Sequence, residues 1–258
     1  MLVMRKTQMT TFEQASIADF EKQMLEHLAE FSPPLFKTVG EEQMRKVIRF
    51  GRDRADHYGF TLRGPVQLYL ELMLLFGSHF DTDPQYPWAA EILTRQNSGP
   101  QMQRAERLYK KTLDYQEKVA GPEDAYALRA LRNISVLARQ PLALSSENFI
   151  PAMRQEIVRV YPQKTVYVGD EGIEALIRKG IDGAHKQHFS TVRGVTLVIV
   201  LMLAFGHGCG ADPLYPWIAR TLKDEAITDP EARANRLEKK ALTWLEHVLA
   251  YFDKGGQA

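Results

Sequence analysis

The stretch Phe76-Gly77-Ser78-His79-Phe80-Asp81-Thr82-Asp83-Pro84-Gln85-Tyr86-Pro87-Trp88 returns as Phe205-Gly206-His207-Gly208-Cys209-Gly210-Ala211-Asp212-Pro213-Leu214-Tyr215-Pro216-Trp217. The interval is 129 residues in a chain of 258. A repeat at half the length restricts the fold more than any composition does, because both copies have to suit one supersecondary plan. The register runs both ways from this anchor. Val39-Gly40 faces Val168-Gly169 and Gly51 faces Gly180, both at 129, while Arg63-Gly64 faces Arg193-Gly194 at 130. Downstream, the run Arg104 to Leu113 faces Arg233 to Leu242 at 129 again. The expectation is an all-α protein, a tandem duplication of an approximately 129-residue helical module. Copy 1 spans 1–120, a connecting helix 121–141 and copy 2 142–258.

Helical periodicity carries the assignment. Ile17, Phe20, Met24, Leu28 and Phe31 recur at three and four, predicting a helix over 12–31 with Thr11 and Gln14 as a capping box and Pro33-Pro34 as its end. A weaker partner covers 147–161, with Met153, Ile157 and Val160 inward and Pro162 as the stop. Met44, Val47, Ile48, Gly51, Ala55 and Tyr58 form the stripe of a helix over 41–58, and Gly59 suits its C-terminal cap. Gly51/Ala55 and Gly180/Ala184 are small pairs four apart on the buried side, which predicts close approach of another helix. The central helices fall at 64–76 and 194–205. In the second, Val195 to Leu203 is apolar at nearly every position, as in a helix buried all round. Its β-branched content would also suit a strand, and the first copy argues against one: its strongly polar residues, Gln67 and Glu71, are four apart and so share one helical face. Glu71 is expected either at the helix surface or paired with a nearby arginine such as Arg63.

Gly77 and Gly206 stop these helices. Asp83-Pro84 and Asp212-Pro213 read as Asx turns. Pro87 and Pro216 suit a first helical position, so Tyr86-Pro87-Trp88 and Tyr215-Pro216-Trp217 open helices over 87–96 and 216–226, with the tryptophans pinning each corner. Final helices cover 101–119 and 230–252. Their seams are Ala105, Leu108, Thr112, Tyr115 and Val119, and Ala234, Leu237, Ala241, Trp244 and Val248. Opposite these, Arg104, Arg107 and Lys111, and Arg233, Arg236 and Lys240, form basic faces expected to be solvated. Residues 122–139 form the connector: Glu123 and Asp124 favour its N-terminal dipole, Leu128, Leu131, Ile134 and Leu137 face inward, and Pro141 follows.

Composition narrows the function classes. There are 33 basic and 32 acidic residues, split 17 to 18 in the first half and 16 to 14 in the second. Neither a nucleic-acid reader nor an acidic DNA mimic has such a balance. Cys209 is the single cysteine, which excludes an intrachain disulfide and fits a reducing compartment. The start Met1-Leu2-Val3-Met4-Arg5-Lys6 lacks the apolar core of a secretory signal, and the apolar run Val195 to Phe205 is too short to span a bilayer. The expected location is the cytoplasm, with no membrane and no direct nucleic-acid partner.

Chemistry has few places to hide. His79, Asp81 and Asp83 in one loop, and His207, Cys209 and Asp212 in the other, are metal-ligand types, but neither set has zinc-finger, His-Glu-x-x-His or EF-hand spacing. His185 and His188 read as surface at a helix end. Without a phosphate loop or nucleophile elbow, the expectation is no cofactor, no metal and no catalytic residue. The anchor is then structural: Gly77, Asp83, Pro84, Tyr86, Pro87 and Trp88, with Gly206, Asp212, Pro213, Tyr215, Pro216 and Trp217.

The pattern Gly-x-x-Phe-Asp-x-Asp-Pro-x-x-Pro-Trp, here Gly77 to Trp88, resembles one in bacterial proteins encoded beside type VI secretion effectors, and the chain is similar to the TsiT-type immunity proteins of nuclease effectors. The resemblance covers the central helix and anchor of both copies, although Gly210 stands where Asp81 does. It implies a cytoplasmic immunity protein that binds and neutralises one cognate toxin. The missing signal peptide fits a toxin that acts in the cytoplasm. The neutral charge directs inhibition to local acidic groups or steric blocking, with Asp53, Asp56, Glu71, His79 and Asp81 as candidate contacts. The alternatives are an effector-loading adaptor or chaperone and, third, a metal-dependent enzyme using His79, Asp81 and Asp83.

Overall fold

The computed structural model describes residues 6–94, 99–139 and 144–254, with side chains from Ala15 onward. Among the described residues there are twelve α-helices and no strand. The helices are α1 Lys6–Phe31, α2 Pro33–Val39, α3 Glu41–His57, α4 Arg63–Phe76, α5 Pro87–Leu93, α6 Gln101–Tyr115, α7 Ala125–Ala138, α8 Phe149–Val160, α9 Pro162–Lys186, α10 Val192–Phe205, α11 Pro216–Leu222 and α12 Pro230–Asp253. The all-helical expectation holds, including the β-branched run that forms α10.

Several boundaries differ for identifiable reasons. Helix α1 begins at Lys6, so Thr11 lies inside it rather than at its cap. Pro33-Pro34 ends α1 and at once begins α2, because proline fits a first turn whose N–H groups have no intrahelical partner. Pro162 acts the same way, ending α8 and opening α9, which kinks at Gly169 (φ 78°). Helix α6 passes into a wider π turn over Gln116–Ala120. Glu123 and Asp124 take left-handed angles (φ 50° and 58°) in a short 3-10 turn before α7 rather than in its first turn. Pro141 and the predicted end of the fifth helix at 95–96 lie outside the described residues.

The packing follows the small residues. A Cβ on Gly51 would lie 2.4 Å from Leu70 Cδ2, and one on Gly180 would lie 2.4 Å from Ile199 Cγ1. Helices α3 and α4, and equally α9 and α10, therefore touch at their glycines. Tyr69, Leu70, Leu72 and Met73 of α4 are fully buried. Each such side chain contributes about 1.5–3 kcal/mol by leaving water. Glu71 does not pair with Arg63: its Oε1 lies 2.7 Å from His27 Nε2 and accepts from Gln67 at 3.0 Å, so the polar side of α4 is tied to α1. Arg104 is buried rather than solvated. It donates to the carbonyls of Tyr58 (2.7 Å) and Leu93 (3.2 Å) and lies over the Phe60 ring. Lys240 reaches Thr221 Oγ1 at 2.9 Å and Arg233 the Ile227 carbonyl at 2.6 Å. These parts of the basic faces thus brace the loop and helix beside them.

Candidate functional site: the paired Asp-Pro loops

The loops after α4 and α10 meet at their glycines. Gly77 and Gly206 have φ of 89° and 87°, angles L side chains rarely adopt. A Cβ on Gly77 would lie 2.5 Å from the Phe205 carbonyl oxygen, and one on Gly206 would lie 2.9 Å from that of Phe76. The contact is reciprocal, and so are the hydrogen bonds around it. Asp83 Oδ1 accepts from Gln85 N (2.9 Å), and its Oδ2 accepts from His207 N of the other loop (2.6 Å). Asp212 Oδ1 accepts from Leu214 N (2.8 Å), and its Oδ2 accepts from Ser78 N (2.7 Å). Each aspartate thus closes its own Asx turn and satisfies a backbone donor across the seam. Burial raises the Asp212 carboxyl above its ordinary value, against the pull of its hydrogen bonds from Ser78 and Leu214.

Aromatic rings brace both corners alike. The centroid of Phe76 lies 4.6 Å from Tyr86, 5.9 Å from Trp88 and 5.1 Å from Tyr115. That of Phe205 lies 4.5 Å from Tyr215, 6.0 Å from Trp217 and 4.6 Å from Trp244. Pro87 and Pro216 open α5 and α11 at the first position, as expected. Pro84 and Pro213 offer carbonyls to the opposite half: Gln43 donates to Pro213 O at 2.9 Å, and Gly172 leaves room for Pro84 O.

Behind the first loop lies an ion pair. Asp81 is 1% exposed. Arg54 Nη2 donates to both its oxygens, 2.6 Å to Oδ1, and Tyr58 OH donates to Oδ2 at 2.8 Å. Burial opposes the Arg54 charge most strongly, yet Asp81 and then Tyr69 hold its guanidinium above the usual range. His79 lies against Phe50 and across from His207, with ring centroids 6.2 Å apart. His207 Nε2 is 3.0 Å from Thr82 Oγ1 and 3.2 Å from the His79 carbonyl oxygen, which can only accept, so this nitrogen carries hydrogen. Burial lowers both imidazoles below their ordinary value; Arg54 adds to this at His79, and Asp83 opposes it at His207. Cys209 is buried, which pushes its thiol up to about 12 and away from a reactive thiolate.

Lys164, on the first turn of α9, is a buried charge. Its Nζ donates to the Leu203 carbonyl at 3.1 Å while Gln85 Nε2 donates to Met202 O at 3.0 Å, so the two side chains satisfy carbonyls at the C-terminal end of α10. Burial lowers the Lys164 ammonium to about 8, with Asp83 as the opposing charge.

The candidate contact residues do not form one cluster. Asp53 and Asp56 are exposed on α3, Asp53 beside Arg52 at 3.2 Å. Glu71 belongs to the α1 cluster. Asp81 is enclosed and already bound, and His79 is half-buried. The sequence reading missed Arg54, Tyr58 and Lys164. A signal existed in the 129-residue register: Arg54, Tyr58 and Asp81 stand 129 positions before Gly183, Gln187 and Gly210, so only the first stretch carries these three side chains. Among the described residues, no group of three or more His, Cys, Asp or Glu side chains is placed to hold a metal ion, and no helix is long and apolar enough to cross a membrane. His185 and His188 are exposed, as expected.

No protein-family model, no curated protein and no solved structure matches the chain.

Proposed function

We propose that the chain is a binding protein made of two copies of one helical module, and that it acts in the cytoplasm as an immunity protein. It binds a cognate toxin, a nuclease effector of a type VI secretion system, and occludes that toxin's active site or substrate path. The observation that carries this reading is where the loop carboxylates go. Asp81, Asp83 and Asp212 are each occupied by the protein's own donors, so the loops hold the two halves in one body. Recognition then falls to the outer helix faces.

The test is co-expression with each protein encoded in the reading frames flanking this one that is toxic on its own. Viable counts should be restored by about a hundredfold or more, and the two proteins should co-purify at a fixed ratio. Survival of cells lacking the chain, with effector secretion abolished, would instead identify a loading adaptor. A stoichiometric metal ion lost in His79→Ala would favour the enzyme.

A further inference from the structure

Many cations on the helices are neutralised locally. Arg45, Lys46, Lys110, Lys118, Arg159 and Arg178 each meet a carboxylate three or four residues earlier on the same helix. One face of α12 lacks this device. Arg236, Lys239, Lys240 and His247 share that face, and none has an aspartate or glutamate three or four positions away in either direction. Arg236 stands three and four residues before Lys239 and Lys240, a spacing at which like charges repel. Arg236 reaches Asp224 in the preceding loop at 3.2 Å, and Lys240 reaches only the Thr221 hydroxyl. Lys239 and His247 are exposed and form no ion pair among the described residues.

These four side chains line an open groove of about 490 Å³ together with Trp217 of α11 and Trp244 of α12. Phe205 packs against both indoles, with centroids 6.0 and 4.6 Å away, and holds them in place while each stays half-buried. Trp244 follows Lys240 by about one helical turn, so rings and cations share a short stretch of helix. The Lys240 ammonium and the Arg236 guanidinium have more N–H groups than their present partners use. The groove thus sets spare donors and positive charge beside flat aromatic surface. From Arg236 to His247 the helix advances by about 16 Å, a stretch too short to follow a long polyanion.

We infer that this groove binds a nucleoside polyphosphate. Arg236, Lys239 and Lys240 take the phosphates, in place of the carboxylates found on other helices, through charge-assisted hydrogen bonds. The base lies against Trp217 and Trp244, where stacking favours a planar ring of any sequence identity. The inference goes beyond the proposed function, and its test needs no toxin.

The probe is ATP, titrated into the full chain at low salt and followed by calorimetry and tryptophan fluorescence. ATP should bind and quench the fluorescence, and its affinity should fall as salt rises. Adenosine and inorganic tripolyphosphate should each bind about tenfold or more weakly, the tripolyphosphate without quenching. Lys239→Gln should weaken ATP about fivefold. Thr243→Glu, which sets a carboxylate four residues from both Lys239 and His247, should weaken it about tenfold. Both positions are exposed, so melting curves without ATP should match the parent. No binding at millimolar ATP overturns the inference. So does ATP binding that neither substitution weakens, which would place it elsewhere on the chain. Tripolyphosphate binding as tightly as ATP would reduce the groove to a simple anion site. A short oligothymidylate binding about a hundredfold tighter would make the ligand a nucleic-acid strand. Either result overturns the nucleotide.

Discussion

The two Asp-Pro loops share a framework and differ in what stands behind it. Asp83 and Asp212 make the same pair of contacts, one within the loop and one across the seam. The ion pair of the first loop has no counterpart: Arg54, Tyr58 and Asp81 give way to Gly183, Gln187 and Gly210. The physics of a buried pair accounts for both members being present in one loop and both absent from the other. Removing one partner strands the other at a cost of about 3–5 kcal/mol, whereas replacing both can be nearly neutral. The reciprocal aspartates hold backbone donors, which only proline at Ser78 or His207 would remove. Framework and ion pair thus answer to different constraints, and the framework is the part that spans the seam between the loops.

The comparison can be broken most forcefully at the glycines. Gly77→Ala and Gly206→Ala should each cost about 3 kcal/mol or more in urea unfolding, since each adds a Cβ at a strained φ against a carbonyl of the other loop. Near-parent stability in either variant would mean that the loops do not meet back to back. Next comes the ion pair. Asp81→Ala should cost about 3 kcal/mol, and Arg54→Leu combined with Asp81→Ala should cost clearly less, as in the second loop. Equal destabilisation by the single and double variants would refute the pair as a unit.

The smallest effect concerns the other asymmetry, Lys164 where the first half has Leu35. The folded ammonium is lowered from 10.5 to about 8, so between those values the unfolded chain binds more protons. The Lys164 contribution to stability therefore rises with pH over this window, by about 2 kcal/mol from pH 8 to 10. Cys209 and the buried tyrosines Tyr86, Tyr115 and Tyr215 act with the opposite sign from about pH 9 upward, because the unfolded chain gives up protons that burial keeps in the fold. The parent minus Lys164→Leu difference in stability isolates the lysine and should grow with pH from 8 to 10; a difference that stays flat would assign no titration to Lys164.

Local signals in the chain were sufficient for much of the fold. The apolar periodicity placed α3, α4, α10 and α12 to within a few residues, because a buried face must recur with the helical turn. Gly51 and Gly180 announced a close helix approach, and the Asp-Pro pairs their Asx turns. Pro33-Pro34 was legible as an ending but not as a beginning, since proline serves both. Arg104 looked solvated because basic spacing says nothing of which carbonyls wait nearby. Among the candidate contacts, Asp81 read as available because its partner lies 27 positions away on another helix.

The sequence by itself determined that the chain is helical and that its two halves carry the same corner, because helical periodicity, capping glycines and Asp-Pro turns act over a few residues. Tertiary structure alone decided that each loop completes the other and that Asp81 is enclosed while Leu75, Tyr109 and Leu113 are not. Those outcomes depend on which surfaces meet, and burial of a charge or exposure of an apolar side chain is a property of the meeting rather than of the residue.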